Sequence, residues 1–248
     1  MKDISTGTII VCATLLFRKL VMGSRRNKGT SVDPEDIGVI GATAQSRQPP
    51  AKSKFNASQT SALELLDAKP IVVLSGCAGT GKSYVALAWA SEMLRTHKVD
   101  KIAFVRSPLE MGRSKIGYIP GTTSEKMAPY TGPIFAIAKK LGLPEGIISC
   151  HPLCHVQGMT FERTVVIVDE VQNMDIDEFR AIVTRLGIGS SMILCGDPEQ
   201  DTRNIGGFPR FIEAVKCLNC VGIQYFTESD NMRHPAIAQV LRALKSLN

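Results

Sequence analysis

The sequence predicts an α/β fold in which a mostly parallel sheet carries helices on both faces. The first observation behind this prediction is a series of short, nearly continuous apolar runs, which are typical of strands buried on both faces. They are IVVLSG at 71–76, KIAFVR at 101–106, TVVIVDE at 164–170, SMILCGD at 191–197 and VGIQYF at 221–226. The second observation is that GKSYVALAWASEMLRT and DIDEFRAIVTRLG, between these runs, space apolar residues three and four apart, as amphipathic helices do. Alternating strands and helices indicate a parallel sheet.

The chain of 248 residues divides by composition into a tail and a domain. Residues 1–54 carry nine Lys and Arg against four Asp and Glu, whereas residues 55–248 carry 20 against 19. Ser, Gly, Pro and Gln are frequent at 23–54, as in a linker. We therefore predict a poorly ordered tail and linker at 1–54 and one domain at 55–248. The sequence pI of about 9.0 suits a nucleic-acid partner, but most of the excess charge lies in the tail.

The first residues contain one apolar run, TIIVCATLLF at 8–17. It is shorter than the roughly 20 residues of a membrane-spanning helix, and its positive charges follow it rather than precede it as in a secretory signal. A disordered extension, a docking element and a membrane anchor are the alternatives. We expect no membrane association and a cytoplasmic location.

The seven cysteines, in a chain without a clear secretory signal, predict reduced thiols. CHPLCH at 150–155 and CLNC at 217–220 together contain enough ligands for one zinc ion. The favoured alternative is that these cysteines belong to the core and loops, because IISCHPLCHV also has the pattern of a short strand.

The segment GCAGTGKS at 76–83 fits the pattern G-x-x-x-x-G-K-[ST] between a predicted strand and a predicted helix. Its glycines let backbone N–H groups surround phosphates, and the helix turns its positive end toward them. Lys82 is expected to reach the β- and γ-phosphates, and Ser83 to bind Mg²⁺. A glycine-rich turn is the alternative, and Cys77 is either a passive small residue or a redox-sensitive thiol. The predicted nucleotide contacts are Gly76, Cys77, Ala78, Gly79, Thr80, Gly81, Lys82, Ser83 and Tyr84.

Two acids follow the strand VVIV, at the end of the sheet where α/β proteins bind ligands. Asp169 suits a residue that holds Mg²⁺, and Glu170 suits a base that activates the attacking water. This pair favours hydrolysis over phosphate transfer by a kinase. The alternative is a helix cap followed by a first-turn acid.

Two glutamines are further candidates. Gln200, in LCGDPEQ after the next strand, is predicted to contact the γ-phosphate and a water; an Asp-Pro turn is the alternative. Gln59, ahead of the first strand, has the donor and acceptor that an adenine edge needs. Its alternative is an exposed position at a helix N-terminus.

Seven segments together resemble the PhoH family of phosphate-starvation-inducible P-loop ATPases: GCAGTGKS, VRSPLEMG, IGYIPGTTSEKMAPY, VDEVQN, TRLGIGS, GDPEQ and MRHP. The resemblance extends from about Phe55 to Leu247, and its most specific part runs from Arg106 to Tyr130, together with TRLG. It implies a RecA-like P-loop NTPase, similar to the first motor domain of superfamily 1 helicases, that hydrolyses ATP and is associated with RNA.

The chain departs from the family pattern at three places. Gln157-Gly158-Met159-Thr160 stands where Arg-Gly-Arg-Thr is common, so at these positions the chain lacks the two side chains through which relatives would make an arginine contact. Val171 replaces the usual Ala in DEVQN. DTRNIGG replaces the Asp-Leu-Pro that often follows GDPEQ.

The resemblance also implies an incomplete motor. Superfamily 1 helicases use two motor domains, and only about 20 residues follow the last predicted strand, so we expect a homo-oligomer in which a neighbour completes the site. An arginine supplied by the neighbour stabilises transition-state charge. Arg185 and Arg233 are the candidates, and a plain surface arginine is the alternative for each.

The stretch from Leu109 to Pro133 shows no helical or strand periodicity and is predicted to be a functional loop. It follows the strand ending at Arg106, where superfamily 1 motors contact nucleic acid, and the alternative is an oligomer contact. Tyr118 and Tyr130 offer stacking faces. The predicted nucleic-acid contacts are Arg106, Arg113, Lys115 and Lys126. RNA or another single-stranded nucleic acid is therefore the expected partner; an ATP-driven switch without nucleic acid, or a P-loop kinase, is the alternative function.

Overall fold

The computed structural model describes residues 55–106 and 123–232 and four positions beyond them, 236, 239, 240 and 243, with side chains of the second range given from Tyr130 onward. The helices are α1 Ala57–Ala68, α2 Lys82–Arg95, α3 Thr123–Lys140, α4 Ile176–Val183 and α5 Gly207–Val215. The strands are β1 Ile71–Gly76, β2 Lys101–Arg106, β3 Ile148–Pro152, β4 Thr164–Asp169, β5 Ser191–Gly196 and β6 Val221–Phe226.

The six strands form one sheet in the order β3-β2-β4-β5-β1-β6, and every pairing between them is parallel. The predicted α/β fold is confirmed, and the five predicted strands are present. One further strand, β3, lies in the segment IISCHPLCHV, for which a strand and part of a zinc site were the two alternatives. Because β4 and β1 both pair with β5, the loops after these three strands meet at one edge of the sheet.

Both faces of the sheet are covered by helices. Alternate side chains of each central strand point to opposite faces, so Leu74 and Phe104 pack in one cluster with α1, α2 and α3. Val73 and Val105 pack in the other cluster with α4 and α5. The strands read as continuous apolar runs because each face requires its own apolar side chains.

The stretch predicted to be a loop, 109–133, is helical in its second part, because α3 begins at Thr123. Proline is unfavourable inside a helix, so Pro129 and Pro133 argue against a helix when the sequence is considered alone. Ile134 and Ala138, four residues apart on one face of α3, are buried in the core, and this burial stabilises the helix despite its prolines. Residues 107–122 lie outside the described residues.

The zinc hypothesis is wrong for the two cysteine motifs together. Cys150 is on β3 and Cys220 directly precedes β6, and these strands are the opposite edges of the sheet, about 24 Å apart at the usual strand spacing. Across the described residues, no three His, Cys, Asp or Glu side chains are grouped to hold a metal ion. Burial raises the pKa of the Cys150 thiol to about 11, as suits a core cysteine.

None of the helices in the described ranges is long and apolar enough to cross a bilayer. The apolar run at 8–17 lies outside the described residues. The division into a tail at 1–54 and a domain at 55–248 therefore stays a prediction.

Candidate nucleotide-binding site

The P-loop connects the end of β1 to the start of α2 and depends on glycine at two positions. Gly76 has φ 147°, and a Cβ there would lie 2.2 Å from the carbonyl oxygen of Phe226. Gly81 has φ 86°, and a Cβ there would lie 2.7 Å from Nε2 of Gln59. Larger residues at these positions would clash and would also strain the backbone. The loop can therefore turn sharply and direct its peptide groups into the space in front of α2.

A cavity of about 520 Å³ opens beside the P-loop. Its wall brings together residues from four strand ends and two helices, including seven of the eleven predicted nucleotide and metal contacts; Gln59, Gly76, Cys77 and Thr80 do not line it. These lining residues include Ala78, Gly79, Gly81, Lys82, Ser83, Tyr84, Arg106, Tyr130, Asp169, Glu170, Asp197 and Gln200. This volume and this concentration of polar groups are typical of a small-ligand site.

Lys82 is held inside the P-loop. Its Nζ donates to the carbonyl oxygens of Gly76 at 2.5 Å and Cys77 at 2.9 Å. The ammonium group, at the first residue of α2, thus adds a full positive charge to the positive end of the helix dipole. Both charges act on the cavity, which suits a polyanionic ligand.

Ser83 and Asp169 are neighbours across the cavity. The Ser83 hydroxyl donates to Oδ1 of Asp169 at 3.4 Å. Burial, and then the charge of Glu170, raise the pKa of Asp169, while Arg106 opposes this shift. Mg²⁺ prefers oxygen ligands, and a divalent cation would relieve the unfavourable burial of the carboxylate. The two side chains therefore fit the predicted magnesium ligands.

Glu170 has an unusual backbone and two firm side-chain contacts. Its φ of 57° and ψ of 39° lie in the left-handed region, which costs a non-glycine residue about 1 kcal/mol or more. Oε1 accepts from Nη2 of Arg106 at 3.2 Å, and Oε2 accepts from Nε2 of Gln172 at 2.5 Å. Such strain is often found at functional positions, and here it turns the carboxylate toward the cavity directly after β4.

Arg106 lies in this cavity, and its contact with nucleic acid stays a prediction. Its guanidinium pairs with Glu170 at 3.2 Å and Asp169 at 3.7 Å and lies 5.8 Å from the ring centre of Tyr130. The reason is strand order: β2 pairs with β4 in a register that sets Arg106 beside Asp169. The side chain is mostly buried, at 22% exposure.

Gln200 lines the cavity from the 3₁₀ turn Pro198–Gln200 that follows β5. Directly before this turn lies a buried acid, Asp197, that was not predicted from the sequence. Asp197 accepts from the backbone N–H of Ala78 at 3.0 Å and of Glu199 at 3.1 Å, and so connects the P-loop to this turn. The sequence does place Asp197 directly after a buried strand and before Pro198, a position at which a functional acid could have been predicted.

Gln59 is buried behind the P-loop. The alternative prediction, an exposed position at a helix N-terminus, is therefore wrong. Gln59 forms a capping box with Asn56: Gln59 N donates to Asn56 Oδ1 at 2.8 Å and Asn56 N donates to Gln59 Oε1 at 3.2 Å. Its Nε2 donates to the carbonyl oxygen of Thr80 at 3.1 Å. The amide therefore supports the loop, and its contact with an adenine edge stays a prediction.

Arg185 lies at the far end of the sheet from the cavity. Its backbone carbonyl accepts from Phe161 N at 2.9 Å and its Nη1 donates to Met159 O at 3.4 Å, and these partners precede β4. Arg113, Lys115, Tyr118 and Arg233, and the side chain of Lys126, lie outside the described residues. The backbone N–H of Met232 donates to Gly79 O at 3.0 Å, so the described chain reaches the P-loop next to position 233.

The family model described as PhoH-like protein matches residues 53–245. A PhoH-like protein of Bacillus subtilis is 34% identical over 184 residues, which are 70% of this chain and 57% of the relative. A PhoH-like protein of Mycobacterium tuberculosis is 31% identical over 192 residues, 73% of this chain and 54% of the relative. Protein PhoH of Escherichia coli is 30% identical over 220 residues, 84% of this chain and 62% of the relative. The chain thus spans little more than half the length of these relatives.

Solved structures show the same fold. The large terminase from a thermophilic bacteriophage, in complex with ADP, aligns with a TM-score of 0.52 and 13% identity. The alignment covers 76% of this chain and 49% of the terminase chain. At this identity the similarity applies to the fold alone, a parallel sheet with helices on both faces.

Proposed function

The chain belongs to the PhoH-like protein family, and from this premise we propose that it binds ATP with Mg²⁺, hydrolyses it, and couples hydrolysis to binding or remodelling RNA or another single-stranded nucleic acid. The observation that carries the proposal is that Lys82, Ser83, Asp169, Glu170 and Gln200 line one cavity beside the P-loop. A lysine, a hydroxyl, two carboxylates and an amide grouped beside the carboxyl edge of a parallel sheet suit a nucleoside triphosphate with Mg²⁺.

Each side chain suits one part of the reaction. Lys82 would exchange its two loop carbonyls for phosphate oxygens, which carry more negative charge and form stronger hydrogen bonds. Ser83 and Asp169 would hold Mg²⁺, which when bound neutralises phosphate charge. Glu170 would accept a proton from the attacking water, and Gln200 would orient that water or contact the γ-phosphate.

The position of Glu170 supports hydrolysis over phosphate transfer to a second substrate. A strained backbone holds this acid at the wall of the cavity, where it can act on a water. A P-loop kinase needs no such base, and the sequence has no evident arginine-rich lid. Hydrolysis is therefore the favoured reaction.

The nucleic-acid part of the proposal rests on family membership and on the resemblance to helicase motors. The near-neutral charge of 55–248 and the replacement of two family arginines by Gln157 and Met159 favour the alternative, an ATP-driven switch without nucleic acid. Arg106 gives no support to the nucleic-acid part, since it is engaged by Asp169 and Glu170.

We expect single-stranded RNA to stimulate ATP turnover by the full chain, and we expect this stimulation to fade as salt rises from about 50 to about 200 mM. Phosphate contacts release counterions, so nucleic-acid affinity falls steeply with salt. The measurement is the steady-state ATPase rate with RNA, single-stranded DNA or neither, at two salt concentrations. Turnover that no nucleic acid changes at either salt would contradict this part and support the switch.

We also propose that the chain acts as a homo-oligomer in which Arg185 reaches the cavity of a neighbour. Arg185 lies at the amino end of β4, and the acids lie at its carboxyl end, about 20 Å away for a six-residue strand. Arg185 therefore cannot serve its own cavity. Ile188, on the same loop, is 87% exposed, which suits burial against a second copy in a head-to-tail contact.

Arg185→Ala is expected to lower ATP turnover about 10³-fold, the lower range for an arginine that stabilises transition-state charge from a neighbour. Nucleotide affinity should change little. The matched control is Arg180→Ala, which removes an exposed arginine of α4 whose ion pair is with Asp177. Steady-state ATPase rates measure both variants.

Mixing subunits tests the assignment in trans. Arg185→Ala and Lys82→Ala proteins are each expected to be inactive. A mixture should regain turnover, because the Arg185→Ala subunit keeps an intact P-loop and a neighbouring Lys82→Ala subunit can supply Arg185 to it. No recovery in a mixture that forms oligomers, or full activity of a monomer across dilution, would contradict the proposal.

A further inference from the structure

A buried amide lies directly behind the acid pair. Gln172, in the 3₁₀ turn Val171–Asn173 that follows Glu170, is only 1% exposed. Its Nε2 donates to Oε2 of Glu170 at 2.5 Å, and its Oε1 accepts from the backbone N–H of Asp197 at 3.1 Å. Burying an amide is unfavourable unless both of its ends are hydrogen-bonded. Here both are, so the orientation of this side chain is fixed.

The contact with Asp197 extends to the P-loop. Asp197 is 6% exposed, and its Oδ2 accepts from the backbone N–H of Ala78 at 3.0 Å. An unbroken series of hydrogen-bonded residues therefore runs from the P-loop through Asp197 and Gln172 to Glu170. It connects the loop that would hold the phosphates with the acid that would act on the water, across the neighbouring strands β1, β5 and β4.

The two contacts of Glu170 differ in charge. Arg106 brings a positive charge to Oε1 and also pairs with Asp169, whereas Gln172 brings a neutral donor to Oε2. Without the amide, the remaining polar partner of the carboxylate in the described contacts is Arg106, which would pull it toward Tyr130 and away from the turn after β5. The neutral contact fixes the direction of the carboxylate without adding a charge that would weaken a base.

We propose that Gln172 is a positioning residue for ATP hydrolysis, which holds Glu170 in line with the P-loop through Asp197. This inference rests on the proposed function, since it assigns Gln172 to the water-activating step at the same site. Gln172 does not contact nucleotide itself: it is absent from the cavity wall, and it acts through Glu170.

The test is Gln172→Met, which keeps the length of the side chain and removes both hydrogen bonds. We expect kcat to fall about 10- to 100-fold, as small misplacements of a reacting group do. The dissociation constant for a fluorescent ATP analogue should stay within about 3-fold, because Lys82 and the Asp197 contact with Ala78 remain. A merely structural role would lower both or neither.

The control is Thr202→Val, which removes the 2.8 Å hydrogen bond from Thr202 to Asn173 on the same 3₁₀ turn but does not touch Glu170. It should keep the wild-type kcat. Thermal unfolding of each variant identifies loss of fold, and if Gln172→Met does not fold, Gln172→Asn, one methylene too short to span both partners, takes its place. A kcat equal to wild type in the folded variant, or an equal loss in Thr202→Val, overturns the inference. Absence of turnover in the wild type contradicts the proposed function instead.

Discussion

Replacing Lys82 by Ala is expected to abolish ATP turnover. Lys82 carries the only side-chain charge that the described structure places inside the P-loop, where it contacts the carbonyl oxygens of Gly76 and Cys77. Loss of one preorganised donor lowers kcat about 10²- to 10³-fold. Loss of charge-assisted bonds to bound phosphates costs a further 1.5–3 kcal/mol or so in affinity. Together these effects should lower turnover by about 10⁴-fold, below the detection of a steady-state assay.

The measurement pairs the ATPase rate with nucleotide binding. Lys98→Ala is the matched control, because it removes the same charge from an exposed position beyond the other end of α2. Lys82→Ala should stay folded, since the loop is also held by Gln59 at Thr80 and by Asp197 at Ala78. Appreciable turnover by a folded Lys82→Ala protein would contradict the assignment of ATP to this cavity.

The sequence predicted those parts of the fold for which a short stretch of residues carries the whole pattern. Apolar runs predicted five strands, and the P-loop motif predicted where the ligand site begins. The helical start of α3 was not predicted, because Pro129 and Pro133 obscure the pattern that Ile134 and Ala138 complete through burial. Burial against other elements is not visible in a single segment.

The parts of the site that the sequence missed depend on strand order. Arg106 meets Asp169 only because β2 pairs with β4, and Asp197 meets Ala78 only because β5 lies beside β1. Neither neighbour relation follows from the order of strands in the chain. Strand order also decides the zinc hypothesis. The two cysteine motifs together could have supplied one zinc site, but the sheet places them at its opposite edges.

Replacing Glu170 by Gln is expected to leave ATP bound but not hydrolysed. Lys82, Ser83 and Asp169, which would hold ATP and Mg²⁺, are unchanged, so the dissociation constant for ATP should stay near that of the wild type. A general base contributes about 10²- to 10⁴-fold to rate, and we expect the upper end here because the backbone of Glu170 is committed to the left-handed conformation for this position.

This substitution also changes one hydrogen bond. Both partners of the carboxylate, Arg106 and Gln172, are donors, and the new amide has a single acceptor oxygen. One contact is therefore lost, which should lower the free energy of unfolding by about 1–3 kcal/mol. Thermal unfolding measures this loss, and it is separate from the loss of turnover, since it does not involve the nucleotide contacts.

The decisive measurement is the chemical state of the bound nucleotide. After incubation with ATP and Mg²⁺, nucleotide extracted from Glu170→Gln protein should be ATP, whereas nucleotide extracted from wild type should be ADP. Glu64→Gln is the matched control, because Glu64 is an exposed acid on α1 that does not line the cavity. Wild-type turnover in Glu170→Gln would contradict the assignment of Glu170 as the base. It would also contradict the proposal that Gln172 acts by positioning that carboxylate. Loss of ATP binding would instead mean that Glu170 acts on the nucleotide or its metal rather than on the water.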